Sequence, residues 1–80
     1  MKQEIYLEIG EKIRILRLRK GMSRKELAEK AGISVFTVGC YERGERKPSF
    51  VNMELISAVL GVSLDEMSIV LTPRGRNESK

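Results

Sequence analysis

The residues with usable chemistry in this 80-residue chain are mostly cations and hydroxyls; histidine is absent and cysteine occurs once. Residues 1–47 carry 12 Lys/Arg against 7 Asp/Glu, a net of +5, whereas residues 48–73 carry only Glu54, Asp65 and Glu66, a net of −3. Residues 74–80 return +2, for +4 over the whole chain. A basic half set against a mildly acidic one suits a polyanion on one side, phosphate above all. A solvated charged surface is the plainer alternative. Catalysis finds no foothold, with no histidine, no Gly-rich phosphate cradle and no acid/base constellation. Cys40 lacks a second thiol for a disulfide or a structural zinc site, so no metal or cofactor is expected, and no small-molecule ligand is evident.

Those residues sit on short helical patterns. Ser23-Arg24-Lys25-Glu26 has the form of a capping box, and Leu27, Ala28 and Ala31 follow at helical spacing before Gly32. Ser34 can cap the next helix almost at once, with Val38 and Tyr41 facing inward and Gly44 just past its end. Two short helices joined by a tight glycine turn make a helix-turn-helix. The start of the first of them, at Ser23 and Arg24, offers free amides and a dipole that favour a phosphate.

The flanking sequence supplies the frame. Ile5, Ile9, Ile13 and Leu16 predict a helix over about residues 7–20, with room to begin as early as Lys2. The last long helix spans about residues 49–60, with Phe50, Met53, Ile56 and Leu60 as its core line. Ser63-Leu64-Asp65-Glu66 is a second capping box and opens a short helix to about Val70. Leu7, Ile15 and Leu18, and separately Val51, Leu55 and Val59, are more apolar surface than one buried stripe explains. They serve either a partner or a wide core-facing side. The expected organisation is one all-α, five-helix domain over residues 1–71 and a flexible basic tail over 72–80. The lone cysteine fits a reducing compartment, no apolar run approaches the ~20 residues of a bilayer span, and MKQEIYLEIGEK lacks a signal-peptide core. We therefore expect a cytoplasmic protein with no membrane contact.

The stretches IGEKIRILRLRKGMSRKELAEKAGIS, YERGERKPS and LGVSLDEM together strongly resemble the Xre-type (Cro and phage-repressor-like) helix-turn-helix family, over about residues 7–69. That resemblance implies a five-helix bundle of the lambda-repressor type, with the helix-turn-helix at its second and third helices. It implies a sequence-specific transcriptional regulator, a repressor more than an activator, that binds double-stranded DNA as a homodimer with its third helix in the major groove. It also implies an ion pair between Arg17 and Glu42. Base-reading positions fall on Ser34, Val35, Phe36 and Cys40, and backbone-gripping ones on Ser23, Arg24, Thr37, Arg43, Arg46 and Lys47. The family's usual dimer region is the stretch from Val62 to Leu71, including Met67 and Val70; Val51, Leu55 and Val59 would extend it. An antitoxin or a restriction-modification controller would use the same domain.

The base-reading face departs from the family's polar habit. Val35 and Phe36 suit thymine methyl groups, with hydrogen bonds supplied by Ser34, Arg24 and Arg43. Alternatively, that apolar face docks a protein partner, as in an antitoxin-like or accessory regulator, or Phe36 folds partly back against Lys25 or the preceding helix. Cys40 reads as a small groove-facing filler, with an oxidation switch as the other possibility.

Overall fold

The computed structural model describes residues 2–68, with side chains from Tyr6 to Met67. The side chain of Ile5, together with Val70 and the tail from Thr72 to Lys80, lies outside what is described. Five helices follow in order: α1 (Lys2–Arg19), α2 (Arg24–Ala31), α3 (Val35–Glu42), α4 (Phe50–Leu60) and α5 (Leu64–Ser68).

Local hydrogen bonding sets the boundaries. The Ser23, Ser34 and Ser49 hydroxyls each accept the amide three residues on, at 3.0, 3.0 and 3.1 Å, and so start α2, α3 and α4. Ser63 and Glu66 complete a reciprocal capping box at α5, with bonds of 2.9 and 3.1 Å. Gly32, at φ 76°, sends its amide back to Ala28 and Glu29, and the chain turns into α3 within two residues.

The helices close on a core of Ile9, Ile13, Leu27, Ala28, Ala31, Val38, Tyr41, Met53, Ile56, Leu60 and Met67. α3 packs against α1 and α2, α4 against α2, and α5 against α4. Gly10 explains how closely α1 approaches α3. A Cβ there would overlap the Tyr41 carbonyl oxygen and lie 2.7 Å from that of Glu42. Asn52 ties α4 to α3 by donating to the Tyr41 hydroxyl at 2.8 Å.

Two expectations are corrected. Phe50 does not join the core line; at the first turn of α4 it overhangs the bundle and is 70% exposed. Met67 is fully buried in the core, so its side chain is committed within the protomer and is not a free dimer contact. Val59 and Val62 are half-buried against the same core, which leaves Val51 and Leu55 as the open part of that face.

Candidate nucleic-acid interface

The outward side of α3 begins with an apolar tip. Val35 and Phe36 follow the Ser34 cap and are exposed, Phe36 by 66%. The Ser34 hydroxyl is engaged, accepting the Thr37 amide and sharing a 2.8 Å hydrogen bond with the Thr37 hydroxyl. Before Glu42 the helix carries no charged residue. Whatever charge serves this face must come from its flanks.

One flank is built around a buried carboxylate. The Glu42 side chain has no solvent exposure and accepts three N–H groups. Arg17 donates Nε to Oε2 at 2.6 Å and Nη2 to Oε1 at 3.0 Å. Its Nη1 donates to the Met22 carbonyl at 2.8 Å. Arg24 adds Nε to Oε1 at 2.9 Å, while 42% of its side chain stays open to solvent. Burial pushes the Glu42 carboxyl up, but the hydrogen bonds and charges of Arg17 and Arg24 outweigh it and hold the group below its ordinary value. The donation by Arg24 could not be read from sequence. It depends on the start of α2 meeting the end of α3, a tertiary fact with no spacing signature.

The other flank follows α3. Arg43 donates Nε and Nη2 to the Glu45 carboxylate at 2.9 and 3.2 Å. That hydrogen bond is the main reason the Glu45 carboxyl lies below its ordinary value. The same guanidinium folds back along the helix, with Nη2 3.9 Å from the Cys40 sulfur. Cys40 is only 3% exposed, so the thiol is not presented to a groove, and its place among the base-reading positions is corrected. Arg46 and Lys47 are exposed in the connection to α4. Ser23, Arg24, Arg43, Arg46 and Lys47 are thus solvent-accessible wholly or in part, and Thr37 is half-buried.

Elsewhere, an open apolar groove of about 690 Å³ is lined by Ile9, Pro48, Phe50, Met53 and Leu64, with Lys47 and Asp65 also on its wall. Among the described residues no helix is long and apolar enough to cross a membrane, and no cluster of three His, Cys, Asp or Glu could hold a metal ion.

The fold is shared with known proteins. A family model described as helix-turn-helix matches residues 13–67. The HTH-type transcriptional regulator YazB of Bacillus subtilis is 38% identical over 68 residues, covering 85% of this chain and 94% of YazB. The HTH-type transcriptional regulator SinR of B. subtilis is 44% identical over 57 residues, but this chain spans only about half of it, 51%. Among solved structures, the restriction-modification controller protein C.AhdI of Aeromonas hydrophila superposes with a TM-score of 0.75 at 34% identity, covering 78% of this chain and 94% of that one.

Proposed function

The chain belongs to the HTH_3 helix-turn-helix family and is a DNA-binding transcriptional regulator, not an enzyme, and from that premise we propose that it represses as a homodimer on a palindromic operator. In this reading α3 enters the major groove tip first. Val35 and Phe36 pack on thymine methyl groups beside the Ser34 cap. Ser23 and Arg24 at the start of α2, with Thr37, Arg46 and Lys47, grip the phosphates. The carrying observation is the apolar, 66% exposed Phe36 on a capped helix with no charged residue before Glu42 and with arginines on both flanks.

The dimer face is the exposed line of Val51 and Leu55, continued by the half-buried Val59 and Val62 and bordered by the overhanging Phe50. To read a palindrome, two copies must set their α3 helices about one DNA turn, roughly 34 Å, apart. Cytoplasmic action by promoter occlusion is the simplest mechanism for such a domain. The same exposed Phe36 also suits docking of a protein, and one experiment separates the two readings. The purified protein is used to select sites from a random duplex pool, with winners and scrambled duplexes compared at two salt concentrations. The regulator reading expects a palindromic consensus and a steep salt dependence from the phosphate contacts. Salt-sensitive binding without enrichment would shift the function to a protein partner.

A further inference from the structure

Helix α3 carries a glycine at position 39, in its middle, where glycine costs about 1 kcal/mol relative to alanine. Gly39 has ordinary helical φ, so no backbone need explains it. The space above it does. A Cβ at Gly39 would lie 2.9 Å from Nη1 of Arg43 and 3.6 Å from both Cζ and Nη2. The arginine four residues on therefore lies in the slot that the missing side chain leaves, and its guanidinium rests on the outward face of α3. That places it in line with Phe36, one heptad earlier on the same side. Its reach is toward the tip of the helix, where the base edges would be, and not outward from the helix end toward a phosphate strand.

Glu45 fixes the orientation as well as the place. Its carboxylate grips the guanidinium along the Nε–Nη2 edge, at 2.9 and 3.2 Å. Of its Nη1–Nη2 edge, the second Nη2 N–H meets only the Cys40 sulfur, at 3.9 Å, a weak acceptor that a better pair of acceptors would displace. In the major groove the acceptor pair with that geometry is O6 and N7 of guanine. We propose that Arg43, laid across Gly39 and steered by Glu45, is a guanine-reading residue and the polar specificity determinant of an otherwise apolar recognition helix. Cys40 beneath it is the floor of the arginine slot. This inference rests on the reading of α3 as the major-groove helix.

The test compares site selection from a random duplex pool by the wild-type protein, Arg43→Ala and Gly39→Ala. The wild type should enrich a guanine in each half-site. Arg43→Ala should lose that preference, with discrimination there falling about 10- to 100-fold while the neighbouring positions keep theirs. In Gly39→Ala the arginine remains, but the new methyl displaces it from the slot. The same preference should drop while the melting temperature holds or rises, an outcome that a purely structural role for Gly39 would not give. Replacing the selected guanine by 7-deazaguanine should weaken the wild type and leave Arg43→Ala unmoved. If Arg43→Ala weakens every sequence by one factor and keeps the wild-type consensus, Arg43 is a phosphate contact and the proposal fails. If the wild type enriches no consensus at all, the underlying reading of α3 fails with it.

Discussion

Replacing Arg17 by methionine tests what holds α3 to the rest of the bundle. The substitution keeps most of the apolar stem and removes two of the three N–H groups that Glu42 accepts, together with the donor to the Met22 carbonyl. The carboxylate left behind has no solvent exposure and keeps only the Arg24 Nε. Breaking a buried pair by removing one partner costs about 3–5 kcal/mol, because a charge is stranded where water cannot reach it. An 80-residue domain has a total stability of roughly 4–12 kcal/mol at 0.05–0.15 kcal/mol per residue, so Arg17→Met should remove a quarter or more of it. Glu42→Leu should cost a similar amount, since the Arg17 side chain is only 9% exposed. The double substitution strands no buried charge and should fall within about 1–2 kcal/mol of the wild type, far short of the two single losses added together. Urea unfolding followed by far-UV circular dichroism on all four proteins closes the cycle. A single substitution costing under about 1 kcal/mol, or a double equal to the sum of the singles, would refute the account of Glu42 as a buried, shared anchor.

Two further predictions follow from the same contact between α1 and α3. The Glu42 carboxyl lies below its ordinary value near 4.5, so its contribution is fully present above that pH and is lost as pH falls through the lowered folded value. The urea midpoint should therefore hold at neutral pH and decline below about 4.5, and Glu42→Gln should flatten that decline; an unchanged acid limb would show that other groups cause it. Gly10→Ala sets a methyl against the Tyr41 and Glu42 carbonyls, which are backbone and cannot step aside by a change of rotamer. Overpacking of about 1–3 kcal/mol should outweigh the gain of roughly 1 kcal/mol in helix propensity, and a melting temperature at or above wild type would contradict it.

The parts of this molecule legible in its sequence are those written in local hydrogen bonds. A serine three residues ahead of the amide it caps leaves a mark within four positions, and so does a glycine that must turn left-handed. Ser23, Ser34, Ser49 and Gly32 thus gave the helix limits almost to the residue. The Arg17–Glu42 pairing, 25 residues apart, came only through the family resemblance, and the second arginine on the same carboxylate came through neither route. Phe50 was misplaced because α4 is apolar on nearly every side. With Phe50, Val51, Met53, Leu55, Ile56, Val59 and Leu60 in eleven residues, no polar face marks which side points away from the core. Cys40 was misplaced for a different reason. Helical spacing correctly sets positions 36, 39, 40 and 43 on one outward face, but it treats each side chain as standing over its own position. Arg43 is long enough to lie back over the two before it, and a small residue at 39 was the available hint.

The two acidic residues beside the proposed DNA face also become intelligible once their partners are known. A carboxylate near phosphates is normally a liability, since it repels the strand that the neighbouring cations attract. Glu42 avoids this by being buried and held by two arginines at once. Glu45 is exposed and has no such shelter; the Arg43 guanidinium engages it by two hydrogen bonds. Simple loss of Glu45 would add a net positive charge, so a face selected only for phosphate attraction would favour replacing it. A face that must deliver one arginine in one orientation gains from keeping it, because a guanidinium already fixed loses less rotamer freedom when it meets its target. Glu45 is therefore better understood through the aim of Arg43 than through the net charge of the surface.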